Sequence, residues 1–159
     1  MPHDPLDRRD FLKSAAATLA LLAGKRGLAA SDLPTAPPSG PPVKLGVIGL
    51  GPWGRDIVTT AARIPTIELV AVCDTYEAFL RRASQAAPKA AAVPDYRTML
   101  DRQDVEAVVI ATPSHVHKDI ALAALQAGKH VYCEAPLASS IDDARAIASA
   151  AGASTLRFM

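Results

Sequence analysis

A glycine-rich turn directly after a short apolar stretch places the strongest constraint on the fold of this chain. Leu45–Ile48 has the pattern of a buried strand and runs into Gly49-x-Gly51-x-x-Gly54, which a helix-like segment follows. In this context the first glycine permits a tight turn, the second lets the backbone approach a pyrophosphate, and the third lets the helix pack closely on the sheet. Free N–H groups at the helix start would face the phosphates. The turn therefore predicts a dinucleotide site that also includes Pro52 and Trp53.

An acidic residue lies where such a site needs one. Asp74 follows the second apolar stretch and is twenty residues beyond Gly54. A carboxylate there can bind both hydroxyls of an adenosine ribose and would repel a 2′-phosphate, which favours NAD over NADP. Asp74 could instead cap the next helix. Arg81 and Arg82 on that helix could in principle bind a phosphate, but a solvated face is the favoured interpretation.

Strand and helix patterns alternate from Val43 onward. This alternation predicts an α/β fold with a doubly wound parallel, Rossmann-like sheet of order 3-2-1-4-5. A ligand is expected above the carboxyl ends of strands one and four. The predicted strands are Leu45–Ile48, Ile67–Cys73, Ala91–Val93, Ala107–Ala111, His130–Cys133 and the start of a sixth at Thr155–Met159. The predicted helices are Trp53–Arg63, Tyr76–Ala86, a turn around Arg97–Asp101, His117–Ala127 and Ile141–Ala151.

The N-terminal region predicts export. Residues 1–30 resemble a twin-arginine (Tat) signal, with Arg8 and Arg9 as the pair, a short apolar core and a small-residue cleavage region. An amphipathic helix or an uncleaved anchor is the alternative. Residues 31–42 contain five prolines and predict a stiff linker. The dinucleotide-binding domain is then expected at residues 43–159, with the Tat translocase as a transient partner and a periplasmic or other extracytoplasmic destination.

Composition excludes some other classes of protein. The net charge of +1 argues against an electrostatic nucleic-acid surface. The two cysteines, Cys73 and Cys133, fall at predicted strand ends and indicate neither a metal site nor a disulfide framework. We therefore predict no metal.

Two further loops follow the fourth and fifth strands. One is Ala111-Thr112-Pro113-Ser114-His115-Val116-His117, and the other is Tyr132-Cys133-Glu134-Ala135-Pro136-Leu137-Ala138. Together with GLGPWG and Asp74, they resemble the N-terminal NAD(P)-binding domain of the Gfo/Idh/MocA oxidoreductases over nearly all of residues 43–159. The resemblance implies a nicotinamide cofactor.

The same resemblance assigns roles to individual residues. Thr112 and Pro113 would line the cofactor and His117 would open the following helix, while Glu134 would lie near the nicotinamide. Pro136 would shape its loop through a rigid or cis peptide. The predicted cofactor-binding residues are Gly49, Gly51, Pro52, Trp53, Gly54, Asp74, Thr112, Pro113, His117, Glu134 and Pro136.

The sequence departs from the family pattern at Ala135. The family typically has a lysine there, whose ammonium helps to orient a hydroxyl, so no catalytic residue is assigned. Lys118 and Lys129 are available, but no motif places them at the nicotinamide. Family members also carry a second α/β domain, which often forms a homo-oligomer and is not expected within this sequence. The sequence would then be a fragment, a truncated gene product or the partner of a separate subunit.

The resemblance implies an exported NAD(P)-dependent oxidoreductase for a sugar, polyol or similar hydroxyl compound. Its small carbohydrate-like substrate would bind once a second domain completes the site. The alternatives are an NAD-dependent glycosidase or lyase of the same fold and a catalytically inactive nucleotide-binding fragment.

Overall fold

Five parallel strands form one sheet of order β3-β2-β1-β4-β5 in the computed structural model, which describes residues 40–159. The predicted order is confirmed. The predicted signal at residues 1–30 and most of the predicted linker at 31–42 lie outside the described residues. The strands are β1 Val43–Ile48, β2 Ile67–Cys73, β3 Ala91–Val93, β4 Ala107–Ile110 and β5 His130–Cys133.

Helices connect consecutive strands, as parallel pairing requires. Pro52 starts the first helix one residue before the predicted position, because proline's fixed φ and missing N–H suit the first helical position. That helix ends at Ala61, two residues before the predicted end. The helices are α1 Pro52–Ala61, α2 Glu77–Ala86, α3 Tyr96–Leu100, α4 His117–Gln126 and α5 Ile141–Gly152, with a 3-10 turn at Ser114–Val116 before α4.

Each face of the sheet is buried against helices. On one face, Val58 and Ala61 of α1 and Leu80 and Ala83 of α2 pack against β1 residues such as Val47. The other face carries α3, α4 and α5, with the following buried residues among its core: Met99, Leu100, Ile120, Ala121, Ala124 and Ile147. Because both faces are covered, the strand residues are nearly all apolar.

The predicted sixth strand forms only a short bridge. Val131 of β5 pairs in parallel with Phe158, and the N–H of Cys133 donates to the carbonyl oxygen of Met159 (2.8 Å). Among residues 40–159, no helix is both long and apolar enough to cross a membrane.

Candidate functional site

Two positions of the turn after β1 require glycine. Gly49 has φ of +92°, and a Cβ there would lie 2.7 Å from the backbone of Ala111 and of Thr112. A Cβ on Gly54 would lie 1.9 Å from the carbonyl oxygen of Gly49. The first glycine therefore lets the turn pass beside β4, and the third lets α1 sit directly on the turn.

The middle glycine is different, because it faces open space. A Cβ on Gly51 would meet no heavy atom within 4 Å. Gly51 is the N-cap residue of α1, and no side chain caps this helix. The first N–H groups of α1 therefore stay available to an anion, at the positive end of the helix dipole.

Asp74 ties the glycine turn to the loop after β2. Its Oδ2 accepts the N–H of Leu50 at 2.7 Å, and its Oδ1 accepts the N–H of Tyr76 at 2.8 Å. Each carboxylate oxygen has a second lone pair, so both oxygens can still accept a hydroxyl. The N-cap residue of α2 is Tyr76, so Asp74 does not occupy the capping position of that helix.

A cleft of about 900 Å³ runs along the carboxyl ends of the strands. Its volume lies within the usual range for ligand sites in proteins. Seven predicted cofactor-binding residues line it: Gly49, Gly51, Pro52, Trp53, Asp74, Thr112 and Pro113. Four others do not: Gly54, His117, Glu134 and Pro136.

The cleft also includes residues that were not among the predicted cofactor-binding residues. Pro94, Asp95, Tyr96 and Arg97 come from the loop after β3 and the start of α3. His115 and Asp119 come from the segment after β4. The carboxyl ends of parallel strands share one edge of the sheet. The predicted strand order places the loop after β3 at that edge, so residues 94–97 could have been predicted from it.

The loops after β4 and β5 contain or cover four of the predicted cofactor-binding residues, namely Thr112, His117, Glu134 and Pro136. His117 is only 1% exposed. Glu134 is half-buried, and its N–H donates to the carbonyl oxygen of Ile110 (3.0 Å). The peptide bond between Ala135 and Pro136 is cis, in agreement with the predicted rigid or cis peptide. Thr112 carries a buried hydroxyl with no partner among the described residues.

Neither candidate lysine reaches the cleft. The ammonium of Lys118 binds the Asp143 carboxylate at 2.5 Å, which links α4 to α5. Lys129 is buried, and its ammonium donates to the carbonyl oxygens of Arg102 and Val105, both at 2.8 Å. Because Val105 and Lys129 precede their strands, this lysine lies at the amino ends, opposite the cleft.

A small notch adjoins the glycine turn between α1 and α2. Arg55 and Arg82 are among its lining residues, and neither forms an ion pair with another residue of the described part. Arg81 is paired with Glu77 at 2.6 Å instead. Of the two helix arginines considered for phosphate binding, only Arg82 is therefore available beside the turn.

Burial keeps both cysteine thiols in their protonated form. Cys73 lines the cleft, but burial and the nearby Asp74 and Asp95 carboxylates raise its pKa to about 12. Burial, with Glu134 nearby, raises the pKa of Cys133 to about 11. Both thiols are therefore protonated at neutral pH.

Residues 40–159 contain no group of three or more His, Cys, Asp or Glu side chains that could hold a metal ion.

These features fit a dinucleotide. An open position at Gly51 precedes the uncapped start of α1, a carboxylate lies at one side of the turn, and an unpartnered hydroxyl lies at the other. The arrangement can hold a diphosphate between two sugar-bearing arms.

Comparisons with known proteins agree with the geometry. The Gfo/Idh/MocA model, described as an oxidoreductase family with an NAD-binding Rossmann fold, matches residues 43–159. A glycosyl hydrolase family 109 protein of Shewanella baltica is 33% identical over an alignment of 161 positions, gaps included, that covers 87% of this chain and 35% of the relative.

Solved structures give the same fold. The apo scyllo-inositol dehydrogenase of Lactobacillus casei has a TM-score of 0.70 and 30% identity, covering 75% of this chain and 36% of that one. The WlbA dehydrogenase of Bordetella pertussis, in complex with NADH and UDP-GlcNAcA, has a TM-score of 0.68 and 30% identity, covering 74% and 36%. The chain thus spans about a third of the length of these proteins.

Proposed function

The chain belongs to the Gfo/Idh/MocA oxidoreductase family, and on that premise we propose that it is the nucleotide-binding part of an NAD-dependent oxidoreductase for a sugar, polyol or similar hydroxyl compound. The open backbone at Gly51, beside a cleft of about 900 Å³, is the observation that carries the proposal. This chain covers only about a third of the relatives that suggest the substrate class, so the reaction and substrate of the whole protein belong to the proposal.

The residues of this chain have separate tasks in the proposed complex. The N–H groups at the start of α1 would bind the diphosphate, and Asp74 would bind the adenosine ribose. Thr112 would offer its hydroxyl on the β4 side of the turn. Bound NAD would supply a hydride acceptor.

Asp74 supports NAD rather than NADP, because its carboxylate would face the 2′-phosphate of NADP. The notch at Arg55 and Arg82 supports the opposite choice, since two guanidinium groups can bind a phosphate. We assign NAD because Asp74 is half-buried and fixed by two hydrogen bonds, whereas both arginines are exposed.

A glycosidase that uses NAD without net oxidation is the second candidate. The curated relative of Shewanella baltica, a glycosyl hydrolase family 109 protein, favours it. At Ala135 this chain has neither charge nor donor, so proton transfer would need a group from outside the described residues. A non-catalytic nucleotide-binding module remains the third reading for the same reason.

We also propose export through the twin-arginine route, on the basis of Arg8, Arg9 and the apolar core after them. This route carries folded proteins, so the nucleotide could be bound before export. Mass spectrometry of the protein recovered from the periplasm would test this. We expect a start near residue 31 and a retained nucleotide, and an intact N-terminus in the cytoplasmic fraction alone would contradict export.

Calorimetry with the full chain tests the cofactor assignment. We expect saturable NAD binding that is tighter than NADP binding, and equal, negligible heats with both nucleotides would overturn it. For the whole enzyme, NADH formed from a sugar panel would support the oxidoreductase. Glycoside cleavage without net NADH would support the glycosidase instead, and NAD binding without turnover would support the non-catalytic module.

A further inference from the structure

A buried histidine bridges the two loops on the β4 and β5 side of the cleft. Nε2 of His117 lies 2.7 Å from the carbonyl oxygen of Thr112, and Nδ1 lies 3.2 Å from the carbonyl oxygen of Leu137. These partners are 5 and 20 residues away along the chain. The side chain is 1% exposed and does not line the cleft.

The chemistry of the contacts defines the direction of the hydrogen bonds. A carbonyl oxygen can only accept, so a ring nitrogen bonded to it must carry a proton. A neutral imidazole has one N–H group and can donate to only one of these carbonyl oxygens, whereas a ring with protons on both nitrogens donates to both and joins the two loops.

The bridged loops carry the residues expected at the second half of the dinucleotide. In the order β2-β1-β4-β5, Asp74 follows β2 and the glycine turn follows β1. A dinucleotide with its diphosphate at the turn and its adenosine at Asp74 extends its other half over β4 and β5. Thr112 lines the cleft there, and the loop of Leu137 includes Ala135.

We propose that His117 is a positioning residue that sets the spacing of the loops after β4 and β5. It thereby shapes the binding site for the nicotinamide half of the cofactor. The inference rests on the proposed dinucleotide site. It differs from the expectation that His117 contacts the cofactor, because the buried ring acts through two backbone carbonyls.

The test compares two ligands on the full chain: NAD, and ADP-ribose, which lacks the nicotinamide. His117→Phe retains a buried ring but removes both ring nitrogens, and His117→Ala removes the ring. The matched control is Lys129→Met, because Lys129 is also buried and also donates to two backbone carbonyl oxygens, but at the amino ends of the strands and outside the cleft.

We expect both His117 variants to bind NAD about tenfold more weakly, while ADP-ribose affinity stays within about twofold of wild type. Hydrogen exchange should accelerate in residues 112–116 and 134–138 and stay unchanged in β1 and α1. Lys129→Met should leave exchange in both loops, and the affinity for both ligands, unchanged.

Other outcomes overturn the proposal. Equal weakening of both ligands, or no weakening of either, would give His117 no selective role at the nicotinamide half. Hydrogen exchange that accelerates across the whole domain in the His117 variants, or that accelerates in neither loop, would contradict a local bridge between the two loops. If the wild type binds neither ligand, the proposed function fails, and the exchange pattern of His117→Phe still decides whether the bridge exists.

Discussion

Replacing Gly51 by alanine should weaken dinucleotide binding while leaving the fold intact, whereas the same change at Gly54 should damage the fold. A methyl group on Gly51 meets nothing within 4 Å, so it causes no clash in the free protein. Its backbone φ of −58° suits alanine as well. As Gly51 is an N-cap residue, the change should lower the free energy of unfolding by less than about 1 kcal/mol.

The new methyl group would occupy the space through which a diphosphate approaches the start of α1. Displacing the phosphates from these N–H groups should cost at least about 1.4 kcal/mol, which is tenfold in the NAD dissociation constant. The loss should be similar for ADP-ribose, because both ligands share the diphosphate.

Alanine at Gly54 acts on the fold instead. Its Cβ would lie 1.9 Å from the carbonyl oxygen of Gly49, and real Cβ contacts begin near 3.0 Å, so α1 must move by about 1.1 Å. Overpacking against backbone of this kind should lower the free energy of unfolding by roughly 2–4 kcal/mol. NAD binding should weaken as a consequence.

The chain carries its own optical probe for this comparison. Trp53 is its one tryptophan, lines the cleft and is 60% exposed. NADH absorbs where tryptophan emits, so its binding should quench Trp53 by energy transfer. Titration gives the NADH dissociation constant, and displacement of NADH by NAD or ADP-ribose gives theirs. Urea unfolding followed by circular dichroism gives the free energy of unfolding.

Gly152→Ala is the matched control, because Gly152 ends α5 and an added Cβ there also meets nothing within 4 Å. It should change neither NAD affinity nor, beyond about 1 kcal/mol, stability. Wild-type NAD affinity in Gly51→Ala would refute diphosphate binding at the start of α1. Wild-type stability in Gly54→Ala would refute the close packing of α1 on the glycine turn.

Three further predictions follow from the described contacts. Asp74→Asn should raise the ratio of NADP to NAD affinity about tenfold, because the charge that repels a 2′-phosphate is lost; an unchanged ratio in calorimetry would contradict this. Lys129→Met removes two hydrogen bonds from a buried ammonium and should lower the free energy of unfolding in urea by about 2 kcal/mol with NAD affinity unchanged; a weaker affinity would contradict the separation of the two sheet ends. Hydrogen bonding to Lys118 lowers the pKa of Asp143 below 3.8, so the pair stabilises the fold at neutral pH, and this contribution is lost as pH falls through that lowered pKa. Asp143→Asn should therefore flatten the acid side of the stability–pH profile, and an identical profile would show that the pair contributes nothing.

The sheet order and most element positions could be predicted from sequence, because both depend on local patterns. The apolar stretch before Gly49 and the proline at the start of α1 each act within a few residues. The predicted order 3-2-1-4-5 then follows from alternation and right-handed crossovers.

The tertiary contacts of the site could not be predicted in this way. The spacing between Gly54 and Asp74 placed the carboxylate near the turn, but not its bond to Leu50, which depends on how β1 and β2 align. His117 looked like a polar helix start, yet it is buried, because the carbonyl oxygen of Leu137, twenty residues away, folds over it. Its role as a cofactor-binding residue stays a prediction.

The short bridge between β5 and the last residues also bears on the solubility of the chain. An uncovered outer strand offers a row of free N–H and C=O groups to other molecules, and so templates aggregation. Residues 157–159 occupy that row on β5 through backbone bonds from Val131 and Cys133. Deleting these three residues would expose β5 to intermolecular pairing, and the shortened protein should self-associate as its concentration rises.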